Sequence, residues 1–419
     1  MTNFQRKLTS AIATGALLFS TALPALGVTI ELSGNGVDSY NKADVELESE
    51  TYVNQTNTAN ITNDVYAVSS SGDNDANRNT GGDVSIDTGS AGTLVTLNTT
   101  ANSNVAEVDG CCAPDVDVLI SGNGDDSYNK VDLDFNEDEK DPTIYVGQSN
   151  LANVTNTVDA YAKTGYNDAE RNTGGDVEII TGSALTGVDI KNLLNSNSAI
   201  VGGGEGGAPS ISAWILGNGV DSYNKIDLDF EHEILVMQDN TANLTNDVFA
   251  KAVSGFNDAN RNTGGGVSID TGNALVDVSI DNMANFNWAD VDCGCVFDLW
   301  AKIAGNGDDS FNKIEADLEA ESDLTQSNLA NFRNPVDAFA KTGYNDAERN
   351  TGDPGDDPSI FTGDAATVVD VSNEANSNLK GFSLGWDSPE WEWPDWEEAN
   401  FEFGFEWAAV WAWMHGIVS

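Results

Sequence analysis

One sequence unit recurs four times along the chain, and this repetition constrains the fold more than any other feature. Each copy opens with a Gly-Asn turn that runs into Asn-Lys, and a second turn of the type Asn-Asp-Ala follows about 40 residues later. The opening turns are residues 34–42, 122–130, 217–225 and 305–313, and the second turns begin at Asn74, Asn167, Asn257 and Asn345. A period of about 90 residues predicts four copies of one structural unit.

The four copies fall into two alternating types. Copies one and three share GNGVDSYNK and NDANRNTGG, whereas copies two and four share GNGDDS and KTGYNDAERNTG. The chain is therefore a duplicated pair, ABAB, with repeats at 28–110, 111–204, 205–294 and 295–384. A glycine run at 202–207 falls where the two pairs join, and this composition is typical of a flexible linker.

The pattern inside each unit predicts an all-β fold. Short stretches such as 84–88 alternate apolar and polar residues, as half-buried strands do, and helical periodicity is absent from the repeats. Asn-x-Ala and related pieces at Asn57, Asn74, Gly89 and Asn104 lie roughly 15 to 17 residues apart. This spacing predicts a β-solenoid that resembles a parallel β-helix, in which each piece forms one coil and the Asn side chains stack into ladders. About 21 such coils would form a rod about 100 Å long.

Tandem β-sandwiches are the alternative architecture. A unit of about 90 residues also fits an immunoglobulin-like module, so the chain could form four of them in a row. Such modules need a dense core with large anchors, and these units contain mostly Val, Ile, Ala and scattered aromatic residues. The solenoid is therefore the favoured prediction.

The N-terminus has the features of a signal peptide at residues 1–27. Arg6 and Lys7 precede an apolar stretch, and Ala25-Leu26-Gly27 matches the small-residue cleavage pattern. No later segment has the about 20 apolar residues needed to span a bilayer, and no Cys follows the stretch to accept a lipid. We expect a secreted protein, extracellular or at the cell surface, without a transmembrane span.

The chain has a formal net charge of -50, which argues against nucleic acid and anionic lipid as partners. Basic residues are few, and many occupy fixed repeat positions: Lys42, Lys130, Lys225, Lys313, Arg78, Arg171, Arg261 and Arg349. An acid follows each of these lysines two residues later, at Asp44, Asp132, Asp227 and Glu315. We expect the fixed cations to offset repulsion between carboxylates; binding of an anionic glycan is the alternative.

The opening turn of each repeat resembles a calcium-binding nonapeptide, GGxGxDxUx. Its aspartates, Asp38, Asp126, Asp221 and Asp309, are the candidate calcium ligands. Consecutive nonapeptide copies sandwich an ion between coils, so a second turn such as 72–75 would have to complete the site here. The alternative is a Gly-Asn turn in which the Asp caps its own backbone. Calcium is the one cofactor that the sequence suggests.

Two cysteine clusters lie at equivalent places after copies one and three, Cys111-Cys112 and Cys293-x-Cys295. Outside the cytoplasm we expect them to be oxidised to disulfides. In a solenoid of short coils the clusters would be about 50 Å apart. Crosslinks between chains, a fold-back at the glycine linker and a local loop disulfide are the three alternatives.

The C-terminal tail, residues 385–419, is acidic and aromatic and contains no Lys or Arg. Phe401, Phe403, Phe405 and Trp407 alternate with Glu or Gly, which predicts a strand with one aromatic face. This strand could cap the open end of the solenoid or bind a partner subunit, surface anchor or polysaccharide. The candidate partner-binding residues are Trp391, Trp393, Trp396, Phe401, Phe403, Phe405, Trp407, Trp411 and Trp413.

Segments of the type Gln-x-Asn-x-Ala-Asn occur once in each copy, at 55–60, 148–153, 238–243 and 326–331. They resemble curlin repeats, which also place Gln, Asn and Ala along stacked strands. The repeat region as a whole is similar to Asn/Thr/Gly-rich secreted repeat proteins of bacteria. The resemblance implies a β-solenoid surface protein and suggests amyloid-like assembly.

Little in the sequence points to catalysis. The two histidines, His232 and His415, are not in repeated positions, and no carboxylate pair stands out in so acidic a chain. We therefore expect a non-enzymatic structural protein of a surface fibre, stalk or matrix that self-associates through its ends or cysteines. A calcium-dependent adhesin that binds glycans or partner cells is the alternative.

Overall fold

The computed structural model describes residues 28–48, 50–108, 115–135, 142–202, 210–292, 298–352, 355 and 357–381. In these ranges the chain forms nineteen β-strands. The strands of the described residues pair in parallel, and equivalent residues of successive repeats lie side by side. The fold is thus an all-β, solenoid-like stack, as the sequence predicted.

Each turn of the solenoid is one whole repeat. Val28 pairs with Val116, and Thr51 pairs with Ile144. Hydrogen-bonded side chains of adjacent turns are separated by 88 to 95 residues in the sequence. The described residues therefore form four large coils: coil 1 (28–108), coil 2 (115–202), coil 3 (210–292) and coil 4 (298–381).

The first two coils contain five strands each. Those of coil 1 are β1 (Val28–Ser33), β2 (Tyr40–Leu47), β3 (Thr51–Ser70), β4 (Val84–Thr88) and β5 (Ala91–Val108). Those of coil 2 are β6 (Val116–Ser121), β7 (Tyr128–Phe135), β8 (Ile144–Lys163), β9 (Val177–Thr181) and β10 (Ala184–Gly202).

The last two coils repeat this order with different breaks. Those of coil 3 are β11 (Ser210–Leu216), β12 (Tyr223–Val253), β13 (Val267–Thr271) and β14 (Ala274–Asp292). Those of coil 4 are β15 (Asp298–Ala304), β16 (Phe311–Arg333), β17 (Val336–Lys341), β18 (Ser359–Thr362) and β19 (Ala365–Gly381).

Stacking of the coils produces four parallel sheets. Three have one strand from each coil, in the orders β1-β6-β11-β15, β4-β9-β13-β18 and β5-β10-β14-β19. The fourth contains β2, β3, β7, β8 and β12, with β16 and β17 paired to β12. Coil order is therefore the strand order in every sheet.

The expected coil of 15 to 17 residues is wrong. The spacing predicts that Asn57 and Asn104 lie in different coils, but the Nδ2 of Asn57 donates to the Oδ1 of Asn104 across one coil, at 2.7 Å. The axial partner of Asn57 is Asn150, in the next repeat. Four coils at about 4.8 Å give a stack about 19 Å high instead of a rod of about 100 Å. Four separate sandwiches are also excluded, since the repeats pair with one another.

The larger coil also changes the expected spacing of the cysteine clusters. Val108 precedes the first cluster and Val291 precedes the second, and both are in register with Val201 of coil 2. These flanking residues are therefore two coils, or about 10 Å, apart. The separation of about 50 Å does not apply to them.

The core lies between facing sheets inside each coil. Val158 and Ala160 of β8 pack against Val188 and Ile190 of β10, and all four are at most 2% exposed. A second cluster joins β6 to β7, where Ile120 and Leu133 are buried. Small side chains fill these layers because facing strands of one coil lie close together.

Glycine columns permit the coils to stack closely. A Cβ added to Gly165 would overlap the carbonyl oxygen of Gly255 in the next coil, and one added to Gly255 would overlap that of Gly343. A Cβ added to Gly124 or Gly219 would overlap the backbone of the preceding coil. Glycine at these places is required by contact between coils.

Candidate functional site

The two ends of the stack are the candidate functional site. In the described part of the chain, strands of coil 1 pair only with coil 2, and strands of coil 4 pair only with coil 3. Val369 and Val371 of coil 4 are 46% and 38% exposed, whereas their partners in coil 3, Val278 and Ile280, are at most 1% exposed. We call these surfaces the coil 1 end and the coil 4 end. Among the described residues, each end presents a row of unpaired backbone groups that can template another strand.

Asparagine ladders run through the stack from one end to the other. In six columns, the side-chain amide of each Asn donates to the Oδ1 of its counterpart in the next coil toward coil 4. These columns begin at Asn41, Asn57, Asn63, Asn74, Asn102 and Asn104 and end at Asn312, Asn328, Asn334, Asn345, Asn376 and Asn378. The coil 4 end therefore presents amide donors, and the coil 1 end presents Oδ1 acceptors.

Two further ladders run in the opposite direction. Gln326, Gln238 and Gln148 each donate to the glutamine of the preceding coil, and the last acceptor is Gln55. The column from Asn331 to Asn60 has the same direction. The two ends thus carry a mixed but complementary set of donors and acceptors.

The interior amides of the six Asn columns are buried and hydrogen-bonded. Asn240 is 0% exposed; it donates to Asn287 at 2.8 Å within its coil and to Asn328 at 3.1 Å in the next. Its Oδ1 accepts from Asn150 and Asn197. A buried amide stabilises the fold only when such partners are present.

Aromatic columns follow the same axis. Tyr40, Tyr128, Tyr223 and Phe311 stack with centroids 4.8 to 4.9 Å apart and nearly parallel rings. The ring faces are therefore occupied inside the column. One face of Tyr40 and one face of Phe311 point along the axis at the two ends, where another ring could stack.

The fixed lysines connect adjacent coils, which confirms their expected pairing with the following acid and adds an axial partner. Lys42 lies 2.6 Å from Asp44 and 3.1 Å from Asp132 of coil 2. Lys225 lies 2.6 Å from both Asp227 and Glu315. Hydrogen bonds from Lys225 and Lys313 lower the pKa of Glu315 to about 2. The lysines thus neutralise a column of stacked carboxylates.

The candidate calcium ligands form a column at the turn between the first two strands of each coil. Asp38, Asp126, Asp221 and Asp309 all have positive φ angles, and backbone hydrogen bonds connect this turn to its neighbours in the stack. Burial, followed by nearby carboxylates, raises the pKa of Asp126. Calcium binding by this column stays a prediction.

A tighter acidic cluster lies at the second turn, where sequence reasoning had not placed a site. Oxygens of Asp168, Glu170 and Asp258 lie within 4.8 Å of one another. One oxygen of Asp168 and one of Asp258 are buried without a hydrogen-bond partner. Carboxylate oxygens at this spacing are ligands of the type that calcium prefers. The sequence feature that could have indicated this cluster is the Ala-Glu of copy two, where copies one and three have Ala-Asn.

Protonation of Asp258 should make stability depend on pH. Burial, then the charges of Glu170, Asp168 and Asp346, raise the pKa of Asp258 to about 6. The folded state therefore holds a proton that the unfolded state releases above about pH 4, and its stability falls as pH rises from about 4 to 6. We expect Asp258→Asn to raise the melting temperature at pH 7 and to leave it unchanged at pH 4.

The control for this measurement is Asp87→Asn, which removes the same formal charge from an exposed strand position. Thermal melts of both variants at several pH values would separate local from global repulsion. Equal shifts in the two variants would contradict a specific role for Asp258.

Several sequence predictions fall outside the described residues. They are the signal peptide, the glycine linker beyond Gly202, the cysteines and the aromatic tail with its candidate partner-binding residues. The cysteines are Cys111, Cys112, Cys293 and Cys295. Their disulfide and binding roles stay predictions.

One column was missed by sequence reasoning. Asn102, Asn195, Asn285 and Asn376 have positive φ angles and lie within the last long strand of each coil. The side chain of Asn195 donates to the carbonyl of Thr241 in the facing sheet and to Asn285 in the next coil. The signal was present, since Asn-x-Asn recurs at this place in all four copies.

No protein-family model matches the chain, and no curated protein or solved structure is significantly similar to it. Across the described residues, no helix has the length and apolar content needed to cross a bilayer.

Proposed function

We propose that the protein is a secreted structural component of an extracellular fibre, stalk or matrix, and that it self-associates through the ends of its stack. The observation that carries this proposal is the pair of open ends, at which backbone, amide and aromatic columns stop without a partner in the described residues. Proteins normally protect long sheet edges against such pairing. Here the edges comprise the strands of four sheets at once.

The composition supports a location outside the cell. The N-terminal residues have the pattern of a signal peptide, and the net charge of -50 disfavours binding to nucleic acid. In the proposed assembly, repeats supply the stacked scaffold and the aromatic tail supplies attachment to a surface component or polysaccharide. Catalysis has no part in this function.

Electron microscopy of chain 28–419 tests the proposal. We expect filaments with a repeat of about 4.8 Å along their axis, because stacked strands have that spacing. A sample with reducing agent serves as the control, since filaments that persist in it do not depend on cysteine crosslinks. Isolated particles about 19 Å high, in both samples and at all concentrations, would contradict self-assembly and favour the adhesin alternative.

A further inference from the structure

The glycine columns contain three terminal members that contacts among the described residues do not explain. A Cβ on Gly343, at the coil 4 end, would meet nothing within 4 Å, and the same holds for Gly36 and Gly89 at the coil 1 end. None of the three has a positive φ angle. At the equivalent interior positions, the neighbouring coil leaves no room for a side chain.

The directions of these missing side chains are complementary. In the column of Gly72, each Cβ would point toward the following coil, so that of Gly343 points out of the coil 4 end. In the columns of Gly36 and Gly89 each Cβ would point toward the preceding coil, and therefore out of the coil 1 end. Glycine at all three positions is explained if a further coil lies against each end.

We propose that the occupant of each end is a second copy of this chain, stacked head to tail, with coil 4 of one copy against coil 1 of the next in the register of the internal coils. This inference rests on the proposed function and specifies its interface. The ABAB order supports it, because coil 4 is of the same type as coil 2 and coil 1 of the same type as coil 3. The new contact would repeat the contact between coils 2 and 3.

Hydrogen-bond direction supports the same arrangement. Six Asn columns end in donors at coil 4 and begin with acceptors at coil 1, while the Gln55 and Asn60 columns have the opposite direction. Stacking coil 4 on coil 1 joins every donor to an acceptor. Joining two coil 4 ends would bring the donors of the six Asn columns to one interface, and joining two coil 1 ends would bring together their acceptors.

The ion pairs of the lysine column have a direction along the stack that supports the same arrangement. Lys42, Lys130 and Lys225 each reach the acid of the following coil, at Asp132, Asp227 and Glu315. Lys313 is the last of these cations, and its side chain is 45% exposed. Asp44 is the first of these acids, and its side chain is 64% exposed. In the proposed register, Lys313 of one copy lies beside Asp44 of the next.

Alanine substitutions at the end glycines test the interface. Gly343→Ala blocks the coil 4 end, and the double variant Gly36→Ala with Gly89→Ala blocks the coil 1 end. We expect each to weaken association at least about 100-fold, equivalent to two factors of ten in the binding constant. Sedimentation of chain 28–419 under reducing conditions measures this, with circular dichroism to verify the fold.

Gly92→Ala is the matched control. Gly92 has no positive φ and nothing within 4 Å of a Cβ, but its column contains Leu185, Leu275 and Ala366. A side chain is therefore compatible with stacking there. We expect this variant to form filaments like the natural chain.

Mixing the two blocked variants tests polarity. Each alone should be monomeric, and a 1:1 mixture should form dimers that do not grow, since only one compatible pair of ends is present. Dimers of either variant alone would show pairing of like ends and would overturn the inference. Filaments of both blocked variants would overturn the inference and leave the proposed function intact, whereas a monomeric natural chain would overturn both.

Charge reversal supplies a second test that does not depend on backbone packing. Lys313→Glu and Asp44→Lys should each weaken self-association about threefold, the size expected for an exposed ion pair. A mixture of the two variants should recover the natural affinity at the interface between them. Equal affinity of each variant alone and of the mixture would count against the proposed register.

Discussion

Replacing Gly165 by alanine should unfold the stack at its centre. The added Cβ would overlap the carbonyl oxygen of Gly255, which belongs to the backbone of the next coil and is itself hydrogen-bonded to Tyr166. A rigid ladder cannot move aside as the end of a side chain can, so we expect a loss of about 3 kcal/mol or more in the free energy of unfolding. Urea denaturation of dilute protein measures the loss.

Gly343→Ala is the control for this effect, because it changes the same column at the coil 4 end, where the Cβ meets nothing. Its unfolding midpoint in dilute solution should equal that of the natural chain or exceed it slightly, since alanine reduces the freedom of the unfolded state. A similar loss in both variants would mean that glycine is needed for local backbone conformation and not for contact between coils.

Asn240→Asp should be the most damaging change of a single amide in the ladders. The carboxylate would face the Oδ1 atoms of Asn287 and Asn328, which now accept hydrogen bonds from Asn240. Burying an unpaired charge and losing two donors at a position that is 0% exposed should cost about 3 to 5 kcal/mol at pH 7. Thermal and urea denaturation give the value.

The loss should decrease in acid. Burial raises the pKa of the introduced carboxyl group in the folded state, so the folded variant binds a proton more tightly than the unfolded one and gains stability as pH falls. Asn328→Asp, in the half-buried last coil, is the matched control and should cost less. An Asn240→Asp variant as stable as this control at pH 7 would contradict the importance of the interior ladder.

The sequence was sufficient to predict a parallel, solenoid-like fold with Asn ladders but not the size of a coil. Identical residues about 90 positions apart were the axial signal, because parallel in-register stacking places like on like. The shorter spacing between the Asn-containing pieces from Asn57 to Asn104 does not arise from stacking of coils. These residues lie on facing strands β3 and β5, and their pairing across the coil is lateral.

The open ends were predicted only in general terms. Sequence shows that the repeats stop, but the direction in which Asn312 or Gln326 donates depends on rotamers within the stack. The sequence alone also does not show which glycines are required for stacking. Gly343 and Gly92 look alike in the sequence, and only the direction of the absent Cβ and the neighbouring coil distinguish them.

The length of a coil also affects how fast the chain can fold. Backbone pairs join residues 88 to 95 apart, so no sheet can begin until about 90 residues have closed a loop. Closing this loop costs roughly 1.5 kcal/mol more entropy than closing one of 16 residues. Topologies dominated by such distant pairings nucleate slowly. An ordered coil that is already in place removes the search for a first partner, so a finished end should act as a seed on which further copies of the chain fold.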